Sequence, residues 1–170
     1  MEKLAERLPA AARVLDLALG PPVVTVATAE SCTGGLLGAA LTAVPGSSAV
    51  YLGGLVTYGN AAKRELLGVS GRVLTKWGAV SPQVAAAMAA GARSALRSQL
   101  GVGITGVAGP GSSCRKPAGL VYVALASPQG TRCERLTDDL GREGNRHAAA
   151  ALALQLLIDH LPATAAPREG

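Results

Sequence analysis

Apolar residues along this chain alternate between helical spacing and short continuous runs. Residues 2–19 carry Leu and Ala at three- and four-residue intervals, which predicts a helix that Gly20-Pro21-Pro22 ends. Residues 23–29 are apolar and mostly β-branched, which is typical of a buried strand. The same patterns further along predict strands at residues 49–58, 102–105, 120–126 and 132–136, and helices at residues 36–41, 61–67, 82–100 and 143–161.

Strands and helices alternate through most of the chain, and the last two strands are joined by a tight turn at residues 127–130. This order predicts an α/β sandwich with a mostly parallel sheet, to which the hairpin adds an antiparallel strand near an edge. A length of 170 residues fits one domain. We therefore expect a single domain over residues 1–170, with its core at 23–161, a helix at 2–19 and a mobile tail at 162–170.

Composition narrows the class of protein. Apolar residues make up 49% of the chain, yet Phe is absent and only one Trp and three Tyr are present, so Val, Leu and Ala must build the core. There is no secretory or organellar leader pattern and no apolar run of about 18 residues, which predicts a cytoplasmic protein without a membrane segment. The three cysteines form no C-x-x-C pair, which argues against a disulfide framework and a zinc site.

The formal net charge of +5 and the sequence pI near 9.5 could attract nucleic acid or a small phosphorylated ligand. The basic residues are dispersed and aromatic platforms for bases are nearly missing, so nucleic acid is not an expected partner. Acidic residues are few and scattered without ligand spacing, so we expect no metal and no cofactor.

The segment from residue 23 to residue 35 is the strongest local signal. Its apolar run ends in Glu30-Ser31-Cys32-Thr33-Gly34-Gly35, and a short helix follows at once. This strand–turn–helix layout exposes a nucleophile beside the backbone N–H groups of a helix start, so Ser31, Cys32 and Thr33 are all candidates. A capped helix start without chemistry is the competing interpretation.

Three unusual segments follow predicted strands: residues 30–35, 57–63 and 105–111. Ligands of α/β sheets gather at the carboxyl ends of the strands, so these segments predict one site.

Four motifs together resemble one family: Ala-Glu-Ser-Cys-Thr-Gly-Gly at 29–35, Gly-Gly-Leu-Val-Thr-Tyr-Gly-Asn at 53–60, Thr-Gly-Val-Ala-Gly-Pro-Gly at 105–111 and Lys-Pro-Ala-Gly-Leu-Val-Tyr-Val at 116–123. They are similar to the C-terminal domain of the competence/damage-inducible protein CinA, whose stand-alone members are nicotinamide-nucleotide amidohydrolases. The resemblance implies a three-layer α/β/α fold with a mixed sheet. It also implies deamidation of nicotinamide mononucleotide to nicotinate mononucleotide and ammonia.

Under this resemblance, Ser31 is the nucleophile and Lys63 is the base that takes its proton, because desolvation would lower the lysine pKa. Tyr58 could relay or orient that proton through its hydroxyl. Glu30 would hydrogen-bond the turn, tune Lys63 or simply cap a helix. The backbone N–H groups of Cys32, Thr33, Gly34 and Gly35 are the expected oxyanion donors. His147 is a weaker candidate base, and His160 is expected at the surface.

The phosphate of the small nucleotide substrate also needs a site. A backbone nest at Thr105, Gly106, Gly109 and Gly111, together with Lys116, Arg142 and Arg146, is the expected phosphate contact. The loop at 112–115 departs from the family pattern because it is short and lacks an acidic residue before Lys116, which puts substrate specificity in question. Leu136-Thr-Asp-Asp-Leu140 is also atypical of the family.

Two other functions stay open at this point. The chain could be a non-catalytic nucleotide-binding or scaffold module linked to competence or the DNA damage response, with Ser31 only capping a helix. It could also be a redox-responsive protein that uses Cys32. A homodimer is expected in either case, because the Ala-rich helix at 82–100 offers a surface for close packing.

Overall fold

A computed structural model describes residues 9–112 and 115–161. Its centre is one mixed five-stranded sheet with the strand order β2-β1-β3-β4-β5. Strand β1 is parallel to both of its neighbours, whereas β4 is antiparallel to β3 and to β5, so four of the five strands run in one direction. The predicted mostly parallel sheet with a hairpin at one edge is confirmed. The strands are β1 (Val26–Glu30), β2 (Tyr51–Val56), β3 (Leu100–Gly106), β4 (Val121–Ser127) and β5 (Gly130–Leu136).

Helices cover both faces of this sheet, which confirms the three-layer α/β/α architecture. One face carries the first, second and last helices and the largest cluster of buried side chains; the other carries the remaining three. Val, Leu and Ala make up most of the buried residues of these clusters, as the lack of Phe predicts. The helices are α1 (Ala10–Ala18), α2 (Leu36–Thr42), α3 (Asn60–Leu67), α4 (Gly71–Trp77), α5 (Pro82–Ala95) and α6 (Gly141–His160), with a 3-10 turn at Ser47–Ala49.

Helix α5 lies unusually close to β3. A Cβ atom added at Gly101 or Gly103 would collide with the carbonyl oxygens of Ala89 and Ala85, respectively. Small residues on both elements therefore allow this contact within the chain. The Ala-rich surface that suggested a homodimer is largely used against the protein's own sheet, and the homodimer stays a prediction.

Several element boundaries differ from those that the sequence predicts. Helix α4 was not predicted, because it has seven residues, starts at a glycine and buries none of its side chains, which leaves no amphipathic signal. Helix α5 ends at Ala95 rather than at residue 100, because β3 begins at Leu100. Helix α3 begins at Asn60, one residue before the predicted start, and Gly59 is its N-cap. Residues 2–8 of the first predicted helix and the predicted tail at 162–170 lie outside the described residues.

None of the helices in the described ranges is both long enough and apolar enough to cross a bilayer.

Candidate active site

Ser31 is the first residue after β1, at the carboxyl end of the central strand. Its N–H donates to the carbonyl oxygen of Ile104 at 3.0 Å, which extends the pairing of β1 with β3 by one residue. On the other side, the N–H of Thr57 donates to the carbonyl oxygen of Glu30 at 2.8 Å. Three parallel strands therefore end together here, and the segment after β2 lies beside Ser31.

Lys63 reaches this point from helix α3. Its Nζ lies 3.0 Å from Ser31 Oγ, and it also donates to the carbonyl oxygens of Thr57 at 2.7 Å and Tyr58 at 3.2 Å. The residue is only 1% exposed. Burial lowers the pKa of the Lys63 amine below its ordinary value, because the charged form loses its hydration.

The three partners of Lys63 suit a neutral amine that takes a proton from serine. Carbonyl oxygens only accept hydrogen bonds, so the Thr57 and Tyr58 carbonyls use the two N–H groups that a neutral amine has. In that neutral form the lone pair takes the remaining position, toward Ser31 Oγ at 3.0 Å, whereas an ammonium would donate to all three oxygens. The contacts therefore fit a general base once the amine has lost its proton.

Two neighbours of the Ser31–Lys63 pair, Tyr58 and Cys32, lie in different environments. Tyr58 contacts Lys63 through its backbone carbonyl, while its side chain is 64% exposed, so a relay through the Tyr58 hydroxyl stays a prediction. Cys32 is buried beside the core, and burial raises the pKa of its thiol to about 11. Because the nucleophilic form of cysteine is the thiolate, this environment favours Ser31 over Cys32.

Glu30 caps helix α2 with a buried carboxylate. One of its oxygens accepts from the N–H groups of Gly35 and Leu37, both at 3.1 Å, and the other accepts from Gly38 at 2.8 Å. Both oxygens are therefore engaged with the helix start, where a negative charge is favourable. Among the roles predicted for Glu30, the contacts support the cap that holds the turn after Ser31.

We expect Glu30→Gln to lower the free energy of unfolding by about 3 kcal/mol, because an amide nitrogen would face an N–H donor where a carboxylate oxygen accepts now. Urea unfolding followed by circular dichroism measures this change. Glu65→Gln, an exposed position on α3, is the matched control and should shift the value by less than about 0.5 kcal/mol. Equal stability of the two variants would contradict the capping role.

Hydrogen bonds within the turn after Ser31 already use two of the four backbone amides that were predicted as oxyanion donors. The N–H of Gly34 donates to the carbonyl oxygen of Ser31 at 3.1 Å, and that of Gly35 is taken by Glu30. Both glycines have positive φ, +62° and +94°, which other residues rarely adopt. Of the four predicted donors, this leaves the amides of Cys32 and Thr33, which donate to no other residue within residues 9–112 and 115–161.

A cavity of about 670 Å³ opens beside Ser31 and Lys63. The glycine-rich segment after β3 forms one side of it, and the end of α4 with the residues that follow forms another. Its lining includes the predicted residues Ser31, Cys32, Tyr58, Lys63, Thr105, Gly106, Gly109, Gly111, Lys116 and Arg142.

The polar residues predicted to bind phosphate already hold parts of this lining together. The Thr105 hydroxyl donates to the carbonyl oxygen of Ala79 at 2.7 Å. Lys116 donates to the carbonyl oxygens of Trp77, at 3.3 Å, and Val80. Arg142 donates to the carbonyl oxygen of Gly109 at 2.6 Å.

Arg146 is placed differently from the prediction. Its guanidinium donates to the carbonyl oxygen of Thr33 at 2.8 Å, and the described lining of the cavity does not include it. Arg142 and Arg146 lie one helical turn apart but reach different loops, so Arg146 secures the Ser31 turn to α6.

The two histidines fall outside the described lining of the cavity. His147 lies 3.6 Å from Glu143, and His160 is at the end of α6.

Sequence reasoning missed the wall formed by residues 75–80, and with it Trp77 and Lys76. The sequence offered one signal for this wall. The chain has a single Trp and no Phe, and that Trp lies in a short polar segment that ends at Gly78. No group of three or more His, Cys, Asp or Glu side chains within residues 9–112 and 115–161 is arranged to hold a metal ion.

Fold and site together define an α/β/α domain with a buried serine–lysine pair at the ends of its parallel strands. Comparison with known proteins gives the family. The chain belongs to the CinA C-terminal domain family, whose model matches residues 10–161. This match confirms the family that the four sequence motifs indicated.

Individual relatives agree with this assignment. A CinA-like protein from Synechococcus sp. (strain CC9902) is 49% identical over 152 residues, which cover 89% of this chain and 36% of that protein. The crystal structure of the competence/damage inducible protein CihA from Agrobacterium tumefaciens is 45% identical, covers 93% of both chains and has a TM-score of 0.80. A CinA superfamily protein from Klebsiella pneumoniae 700603 is 32% identical, covers 93% of this chain and 97% of its own, and has a TM-score of 0.84. The chain spans about a third of the length of the curated relatives it matches.

Proposed function

We propose that this chain hydrolyses the carboxamide of nicotinamide mononucleotide, giving nicotinate mononucleotide and ammonia. The observation that carries the proposal is the 3.0 Å contact between Ser31 Oγ and a buried Lys63 Nζ whose other two partners are carbonyl oxygens. A serine hydroxyl is a weak nucleophile until a base removes its proton, and this geometry supplies that base.

The reaction proceeds in two stages. Lys63 takes the Ser31 proton while Oγ attacks the carboxamide carbon, and the amides of Cys32 and Thr33 are the donors that would stabilise the resulting oxyanion. The Lys63 ammonium then returns its proton to the departing nitrogen, which leaves as ammonia when the carbon–nitrogen bond breaks. Lys63 next takes a proton from a water molecule as the water oxygen attacks the ester carbon. The Lys63 ammonium then gives this proton to Ser31 Oγ as the ester carbon–oxygen bond breaks, which releases nicotinate mononucleotide and restores Ser31 and the neutral amine.

The charge of the cavity suits a phosphorylated substrate. Arg115, Lys116 and Arg142 line it, and no acidic side chain belongs to the lining that the structure describes. An ammonium has three N–H donors and a guanidinium has five. Lys116 uses two of its donors on carbonyls and Arg142 uses one, so both retain donors for phosphate oxygens.

The direct test is incubation of the purified protein with nicotinamide mononucleotide without added metal. We expect ammonia and nicotinate mononucleotide to form in a 1:1 ratio, measured by an enzymatic ammonia assay and by chromatography. Folded protein that binds the nucleotide without releasing ammonia would contradict the proposal and support the nucleotide-binding module instead. Ammonia release from a different carboxamide alone would retain the chemistry but refute the substrate.

A further inference from the structure

Trp77 is the feature of the cavity that the hydrolytic mechanism leaves unused. It is the last residue of α4, it lines the same cavity as Ser31, and its side chain is 44% exposed. Val73 and Leu74 of α4 pack partly buried against the core, whereas Trp77 does not belong to any of the core clusters that the structure describes. A large exposed indole in a cavity is a surface available for a ligand.

The distribution of aromatic residues strengthens this point. The chain has four, and two of them, Tyr51 and Tyr122, are partly buried against the core clusters. The two that are exposed, Tyr58 and Trp77, both line the cavity. Exposed aromatic surface is thus concentrated where the substrate would bind.

The indole already attracts a positive charge. The Nζ of Lys76 lies 5.0 Å from the centre of the Trp77 ring, which is within the range of a cation–π contact. Tryptophan provides the strongest such face among the side chains. A cationic ring that displaces the Lys76 ammonium from this face would keep the same electrostatic attraction.

The backbone on the C-terminal side of Trp77 is well anchored. Lys116 donates to the carbonyl oxygens of Trp77 and Val80, and the Thr105 hydroxyl donates to that of Ala79. These contacts connect residues 77–80 to the end of β3 and to the segment that follows it. Such an anchored wall needs little ordering on binding, which favours affinity.

We infer that Trp77 stacks on the substrate's aromatic ring and selects a positively charged pyridinium over a neutral ring. This inference rests on the proposed function, since it specifies how the same cavity recognises its substrate. The pyridinium of nicotinamide mononucleotide is flat and cationic, which matches an indole face in both shape and charge. The basic residues across the cavity would bind the phosphate at the other end of the molecule.

The test uses the full chain with Ser31→Ala, so that the ligand is bound without turnover. Because Trp77 is the only tryptophan, intrinsic fluorescence reports this site alone. Nicotinamide mononucleotide should quench it with the same Kd that calorimetry gives, and ribose 5-phosphate, which has no aromatic ring, should bind without quenching.

Substitution at Trp77 then separates charge from shape. In calorimetry, Trp77→Leu should weaken binding of nicotinamide mononucleotide about 10-fold, and Trp77→Phe should weaken it less. The reduced mononucleotide, whose ring is neutral, should lose less affinity than the cation. Ribose 5-phosphate should bind both variants as it binds the parent, which shows that the cavity is intact. Unchanged affinity of Trp77→Leu for the cation, or an equal loss for both ring forms, would overturn the inference.

The outcomes also separate this inference from the proposed reaction. Trp77-dependent binding without ammonia release from protein that retains Ser31 would refute hydrolysis and keep the pyridinium site. Ammonia release with a KM that Trp77→Leu does not change would keep hydrolysis and refute the pyridinium site.

Discussion

Ser31→Ala is expected to reduce ammonia release from nicotinamide mononucleotide by about 10⁴-fold or more, since loss of a serine nucleophile removes the covalent route entirely. Binding should persist, because Ser31 contributes one small hydroxyl to a cavity lined by many other groups. Initial rates and calorimetric affinity, measured on the same preparations, test both parts. A variant that turns over at more than a tenth of the wild-type rate would exclude Ser31 as the nucleophile.

Cys32→Ala is the matched control for that result. The thiol is buried and its pKa is raised to about 11, so little thiolate exists at neutral pH. The backbone amide that could stabilise the oxyanion is unaffected by the substitution. We expect Cys32→Ala to keep most of the wild-type turnover. Loss of activity in Cys32→Ala, with Ser31→Ala still active, would reverse the assignment.

Lys63→Met should lower kcat by about 10³-fold with a smaller effect on KM, since general-base catalysis contributes roughly 10²–10⁴-fold and Met has similar length but no basic nitrogen. The fold should survive, because a buried amine is replaced by an apolar side chain of similar length. Thermal unfolding of the variant checks this. A fully active Lys63→Met would refute the role of the lysine as base.

The pH dependence gives a signature that a structural role for Lys63 would not produce. A base must be neutral, so kcat/KM should rise with pH up to the Lys63 pKa, and burial places that pKa below the ordinary lysine value of 10.5. In Lys63→Met this rise should disappear. In Lys63→Ala, added ethylamine should restore part of the rate, because it can occupy the vacated space and supply a lone pair. An unchanged pH profile in Lys63→Met would contradict the assignment.

The same pKa shift affects stability in a defined direction. Between the lowered pKa of folded Lys63 and the unfolded value near 10.5, the unfolded chain binds more protons, so stability from this group increases with pH in that window. Below both values the buried charge opposes folding. In Lys63→Met, the free energy of unfolding should therefore lack this increase with pH.

The sequence by itself determined the order of elements and the class of the fold. Apolar spacing and β-branched runs are local patterns, and they specify helices and strands wherever the element is long enough to bury a face. Helix α4 was missed for that reason, since it has seven residues and buries none of them. The turn after β1 was also readable locally, because Gly34 and Gly35 permit the positive φ angles that bring a helix start close to Ser31.

Only the tertiary structure decided how side chains combine. Ser31 and Lys63 are 32 residues apart, and their 3.0 Å contact depends on β1 and β2 ending in register while α3 turns back over both. Arg142 and Arg146 look equivalent in sequence, yet one reaches the cavity loop and the other reaches the Ser31 turn. Trp77 lines the same cavity as Ser31 because segments far apart in the chain pack together there, which local spacing does not encode.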